Sequence, residues 1–189
     1  MALYVARYDE SKNQAAALRA FFRAKIENSI LVFIGTEFNE YSHRLQRLEQ
    51  TVAPSGQRSR VFYLQRLPKE MIRAAYRAAD VFVMPSKAEV QPLVVLDAMA
   101  CGKPFVATNV GCVAELPGGV VVRHERQMAY VIRKLRADPA WRAELGSAGR
   151  EACERNYNWP TVLSTYEALF AKIVSTQGRV CCGSGANRE

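Results

Sequence analysis

No apolar stretch in this 189-residue chain approaches the roughly 18 residues that cross a bilayer; runs such as LVVL at 93–96 stop far short. Histidine is scarce, with only His43 and His124, and neither Ser nor Cys stands in a nucleophile-elbow context, so serine- or cysteine-type hydrolysis has little to build on. No GxGxxG follows a strand and no Walker lysine loop is present, which disfavours dinucleotide oxidoreductases and P-loop NTPases. The five cysteines, Cys101, Cys112, Cys153, Cys181 and Cys182, are odd in number and contain no CxxC pair, which argues against a disulfide framework or a zinc finger. No His/Cys/Asp/Glu cluster has metal-ligand spacing, so no metal site is expected. The first residues, MALYVARYDE, lack the basic and apolar regions of a signal peptide, and a reducing cytoplasm is the expected location.

What is present is ordinary for a globular domain: 49% hydrophobic and 23% charged residues, enough for one buried core. The net charge of +8 is shared equally between the two halves of the chain, with no run of five like charges and no basic arm. That spread fits a general preference for small anions such as phosphates better than a nucleic-acid stripe, and no nucleic-acid partner is expected.

Periodicity alternates strands and helices throughout. Strands are expected at Leu3 to Arg7, Ser29 to Gly35, Arg60 to Leu64, Val81 to Met84, Phe105 to Thr108 and Gly119 to Val122. Helices are expected at Gln14 to Lys25, Tyr41 to Gln50, Pro68 to Ala79, Pro92 to Ala100, Arg126 to Ala137, Ala140 to Arg155 and Pro160 to Val174. Near-continuous β-branched and aromatic strands imply burial on both faces, hence a doubly wound α/β fold with a parallel, Rossmann-like sheet. One domain is expected over 1–178, with a disordered tail at 179–189. The last helix carries an apolar stripe, Val162, Leu163, Tyr166, Leu169, Phe170 and Ile173, that must pack on something. Trp141 and Trp159 read as packing residues, and His43 and His124 as surface residues.

In an open parallel sheet, ligands bind beyond the carboxyl ends of the strands. After the first strand, Arg7 and Lys12 form either a solvated turn or a pair of cations able to converge on a diphosphate. After the fourth strand comes PSKAEVQPLVVLDAMACGKP, in which Asp97 interrupts an otherwise apolar helix; a carboxylate there is expected to be buried and to need donors. Glu89 lies eight residues earlier. The two acids would face a polyhydroxyl ligand, with the free amides near Leu93 and Val94 offering an anion site, or else form a buried cap and a surface acid. Gly35 and Gly111 either admit a ligand to the backbone or are turn glycines.

At these residues the sequence resembles the C-terminal, nucleotide-sugar-binding domain of the retaining group 1 (family 4) glycosyltransferases, GT-B type enzymes with two Rossmann-like domains. The resemblance runs through VARYDESKN, LVFIG, VFYLQRLP, AADVFVMPSKAEVQPLVVLDAMACGKPFVATNVG and YNWPTVLSTYEAL, in the family's order. It implies that Arg7 and Lys12 hold the donor diphosphate. Glu89 matches the first acid of the family's acid pair and would touch the donor sugar, so Arg7, Lys12 and Glu89 form the catalytic set. Asp97 matches the second acid and would bind the ribose hydroxyls. The amides of Gln91, Leu93 and Val94 would face sugar and phosphate, and Arg66 and Leu67 would cradle the base.

The sequence departs from the family pattern in three places. Asp97 replaces the usual Glu, Gln91-Pro92 replaces Phe-Gly, and Gly111-Cys112 replaces Gly-Gly. The resemblance further implies that the substrate is a nucleoside diphosphate sugar with no separate cofactor, and that an acceptor-binding N-terminal domain is missing, so the chain alone would transfer poorly. Peripheral contact with an anionic inner-membrane surface is left open. The alternatives are half of a sugar-nucleotide epimerase and a degenerate interaction domain that docks through its last helix.

Overall fold

The β-branched and aromatic runs of the sequence become the strands of one sheet, and the computed structural model describes residues 1–56 and 58–180 of the chain. The strands are β1 Ala2–Val5, β2 Ile30–Gly35, β3 Arg60–Gln65, β4 Val81–Met84, β5 Phe105–Thr108 and β6 Gly119–Val122. They are all parallel, in the order β3-β2-β1-β4-β5-β6. The helices are α1 Gln14–Arg23, α2 Glu40–Val52, α3 Lys69–Ala78, α4 Leu93–Ala100, α5 Glu125–Ala137, α6 Pro139–Asn156 and α7 Trp159–Val180. A 3-10 turn at Val113–Glu115 follows β5.

From β1 the chain steps outward to β2 and β3, then crosses back to β4 and steps the other way. Right-handed crossovers therefore set α1 and α2 on one face and α3 and α4 on the opposite face. Helix α5 packs on α1, and α6 packs on α4. Strand β1 is paired on both sides, Leu3 standing level with Val32 of β2 and Phe82 of β4. The two directions of winding part between β1 and β4, and their carboxyl ends open into a crevice.

The central strands are buried on both faces as expected, with Leu3, Phe82, Phe105 and Val106 fully enclosed. The edge strands differ: Phe62 of β3 and Val121 of β6 are exposed. Helix α1 lies close to its neighbours through small buried residues, Ala16, Ala17 and Ala20. Side chains close several helix starts. Asn39 and Ser42 form a reciprocal capping box at α2, His124 Nδ1 accepts from the Gln127 amide at α5, and Asp138 accepts from the Trp141 amide at α6, where Pro139 takes the first helical position. Both histidines are exposed.

Strands β4, β5 and β6 occupy the expected residues. Strand β1 ends at Val5, two residues before the expected Arg7, because the chain leaves the sheet once the Ala6 amide has bonded the Ile34 carbonyl. Helix α7 continues to Val180, past both Val174 and the expected domain boundary at 178. The rest of the expected tail, 181–189 with Cys181 and Cys182, lies outside the described residues. Trp141 is half-buried against the core with Lys134 Nζ 4.5 Å from its ring centroid, but Trp159 is 75% exposed and does not pack as expected. The α7 stripe is also open to solvent, with Leu163, Tyr166, Leu169, Phe170 and Ile173 all exposed. No helix among the described residues is long and apolar enough to cross a membrane.

Gly35 is occupied by the protein rather than by a ligand. A Cβ there would stand 2.4 Å from the ring of Tyr8, whose hydroxyl donates to the Leu64 carbonyl at 2.9 Å, so the ring cannot swing away cheaply. Gly35→Ala should therefore cost about 1–3 kcal/mol through overpacking, measured by urea unfolding. In a Tyr8→Ala background the same substitution should cost much less; equal costs in both backgrounds would show that the ring is not the cause.

Candidate functional site

The crevice between β1 and β4 is flanked by two loops, one leading from β1 to α1 and the other from β4 to α4. They are joined through a buried hydroxyl. Tyr4, the penultimate residue of β1, places its side-chain oxygen 2.7 Å from the Lys12 carbonyl and 2.9 Å from Ser86 Oγ. Its one proton goes to the carbonyl, so the Ser86 hydroxyl donates to Tyr4. Burial drives the Tyr4 phenol far above its usual range, and Ser86 works against that rise through its hydrogen bond. Two more bonds complete the seam: the Lys87 amide donates to the Ser11 carbonyl at 2.7 Å, and Asn13 Nδ2 donates to the Pro85 carbonyl at 3.2 Å.

The seam brings Lys12 to Glu89, Nζ to Oε1 at 2.8 Å, with the side chains 20% and 15% exposed. Asn13 then turns the chain into α1 with φ 54°, a left-handed conformation that Asn tolerates better than most residues. The buried Gln14 holds the loop from below, its Nε2 donating to the Arg7 carbonyl at 2.7 Å. Its Oε1 is enclosed without a hydrogen-bond partner among the described residues. Asp9 braces the loop tip by accepting from the side chain and amide of Ser11, which lowers its pKa. Arg7 projects into solvent from the same loop, with no ion pair among the described residues.

Glu89 is also fixed from behind. Gly111 adopts φ 54°, and a Cβ there would stand 2.0 Å from the Val90 carbonyl oxygen and 2.8 Å from that of Glu89. The Cys112 amide donates to the same Val90 carbonyl at 3.1 Å. Gly111 thus seats the acidic loop rather than admitting a ligand.

At the start of α4, no side chain caps the helix and Pro92 has no amide. The Leu93 and Val94 amides meet no acceptor among the described residues and stand open at the positive end of the helix dipole. Leu93 and Gln91 are exposed beside them.

Asp97 corrects an expectation. Its helix is not apolar on all sides: Val95, Ala98 and Met99 face the core, while Asp97 lies on the exposed side. It lines a groove of about 490 Å³ between α3 and α4, together with Val5, Lys69, Arg73, Tyr76 and Arg77. Partial desolvation in the groove raises its pKa, and the charge of Arg73 opposes the rise. Arg66 and Leu67 sit apart, beyond β3. Arg66 has φ 53° and pairs with Glu37 at the surface, while Leu67 is half-buried against the core.

The residues that sequence reasoning missed are Tyr4 and Ser86, which join the loops, and Arg73 of α3, which lines the groove with Asp97. The four-residue spacing of Lys69, Arg73 and Arg77 was a usable signal, since it places all three on one helical face. Among the described residues, no group of three or more His, Cys, Asp or Glu side chains is arranged to hold a metal ion.

The family described as Glycosyl transferases group 1 matches residues 1–152. The chain is 33% identical over 147 residues to the alpha-maltose-1-phosphate synthase of Mycolicibacterium smegmatis, covering 71% of this chain and 36% of that protein. Against the sucrose-phosphate synthase of Thermosynechococcus elongatus the TM-score is 0.78 at 28% identity, covering 93% of this chain and 45% of that one. Against Anabaena HepE, solved in complex with UDP and glucose, the TM-score is 0.74 at 18% identity, covering 93% and 48%, which speaks to the fold alone. The chain thus spans less than half the length of these relatives.

A carboxyl whose pKa is raised in the folded state favours the native protein when protonated and costs stability once pH rises above that pKa. Asp97→Asn should therefore raise the midpoint of thermal unfolding at pH 7. The gain should shrink as pH falls through the Asp97 pKa and vanish below the unfolded value near 3.9. A midpoint unchanged at every pH would mean that the groove does not desolvate the carboxyl.

Proposed function

This chain belongs to the group 1 glycosyl transferases, and on that premise we propose that it binds the donor, a nucleoside diphosphate sugar, for transfer of a hexose to an acceptor. The observation that carries the reading is the half-buried Lys12–Glu89 pair, held at the β1–β4 crevice beside the open amides of Leu93 and Val94. A cation, a carboxylate and free amides together form a surface for a ligand that is anionic at one end and rich in hydroxyls at the other.

In this reading the diphosphate lies across the start of α4, taking hydrogen bonds from the Leu93 and Val94 amides and, at its sugar end, from Gln91. Lys12 keeps one proton on Glu89 and has two to offer a phosphate oxygen; Arg7 swings in from solvent to add a second cation. Glu89 accepts from hydroxyls of the hexose and fixes its orientation. Asp97, lower in the groove, takes the ribose hydroxyls, and the base lies toward Arg66 and Leu67.

When the bond between the anomeric carbon and the phosphate oxygen breaks, its electron pair leaves with the diphosphate. Lys12 and Arg7 meet that charge as it develops, so they stabilise the transition state more than the ground state. The new bond forms to an acceptor hydroxyl oxygen, whose proton passes to the departing phosphate. Delivery of the acceptor from the leaving-group side would retain the anomeric configuration.

Acceptor recognition belongs, in this proposal, to a domain outside this chain, in keeping with the chain's spanning less than half of its relatives. The exposed stripe of α7 is the surface proposed to meet that domain, and 1–178 to act as the donor unit. A cytoplasmic setting, with peripheral membrane contact left open, completes the proposal.

Thermal unfolding with UDP, GDP and ADP tests it. A nucleotide at about 100 times its dissociation constant adds about 2.7 kcal/mol, or roughly 5–11 °C at this chain length. One of the three should produce such a shift, and Lys12→Ala and Asp97→Ala should each remove most of it. Midpoints unmoved by all three would overturn the donor-site reading.

A further inference from the structure

We propose that Arg73 is a second ribose-recognising group, acting across the groove from Asp97, so that the ribose diol sits between a guanidinium on α3 and a carboxylate on α4. The inference rests on the donor-site reading and deepens it by naming a residue that sets selectivity for the nucleotide sugar.

Helix α3 presents Lys69, Arg73 and Arg77 at four-residue steps, and all three line the groove that Asp97 lines from α4. They are not equivalent. Arg73 is the cation whose charge acts on the Asp97 carboxyl, whereas the charge of Arg77 acts on the Cys101 thiol one turn further along. Yet Arg73 and Asp97 do not touch: no hydrogen bond or ion pair joins them among the described residues, and the open groove lies between. Tyr76, the buried residue at the groove floor, spends its hydroxyl proton on the Val94 carbonyl at 3.2 Å and has none to offer Asp97.

A donor-only group on α3 and an acceptor-only group on α4 thus line one groove without touching. A hydroxyl meets both needs at once, donating to the carboxylate and accepting from the guanidinium. A vicinal diol does so twice, matching two carboxylate oxygens and the forked donors of the guanidinium. The short aspartate side chain leaves the ligand free to lean toward α3, where Arg73 receives it. A nucleotide lacking one of these hydroxyls leaves a charged group in the groove without its partner, a larger loss than that of one neutral hydrogen bond.

The test is calorimetric titration of the full chain with UDP, GDP and ADP, each alongside its 2′-deoxy and 3′-deoxy counterparts. The nucleotide that binds should favour its ribose form by about tenfold or more. Arg73→Gln, at an exposed helix position that does not endanger folding, should narrow that preference to about twofold. Arg77→Gln removes the same charge from the same helix and should leave the preference intact. A preference unchanged in Arg73→Gln overturns the proposal. Equal narrowing in Arg77→Gln overturns it too, because the effect would then be one of distant charge. Failure of all three nucleotides to bind overturns instead the donor-site reading beneath it, so the two failures are distinguishable.

Discussion

The hydroxyl of Tyr4 is the bond on which the candidate site hangs. Two loops that leave the paired strands β1 and β4 are locked together where a buried phenol near the end of β1 donates to one and accepts from the other. The polar features of the crevice gather around that seam: the contact of Lys12 with Glu89, the turn at Asn13 and the uncapped first amides of α4. The Tyr4–Ser86 bond at its centre is buried, so it is made at low dielectric and is costly to leave unmade. A site assembled from mobile loops would hold its cation and its acid together only part of the time.

Around this fixed centre the protein leaves several groups poorly satisfied. The first α4 amides are uncapped, a Gln14 oxygen is enclosed without a donor, and the Asp97 carboxyl is partly desolvated with its nearest counter-charge across a gap. Side chains cap α2, α5 and α6, whereas α1 and α3, like α4, start without a side-chain cap among the described residues. In the proposed reading, a bound ligand supplies the partners that these groups lack.

The fold was legible because burial writes itself into strands. Runs such as VFVM and FVAT have no polar face to misread, and β4, β5 and β6 fall where their β-branched residues place them. Lys12 and Glu89 were legible as chemistry at strand ends, but not as a contact, which depends on Tyr4 and Ser86 meeting across the sheet. Asp97 was misjudged for a physical reason: Leu93 and Ala100 look like core residues in one dimension, yet they lie on the outer side of α4 with the acid. Trp159 was misjudged similarly, since its large apolar area implies a cover but does not say which chain provides it.

The order of the sheet also governs how the molecule comes together. Tyr4 and Ser86 are 82 residues apart in sequence, and β1 cannot gain its second neighbour until the chain has passed through β2, β3 and three helices. Contacts of such long separation form late, because the entropy of closing the intervening loop must first be met. Loop-closure entropy therefore predicts late assembly of the crevice. A half-folded chain with β1, β2 and α1 in place has the loop that carries Lys12 but nothing opposite it, so a ligand that needs both loops can bind only molecules whose central pairing is complete.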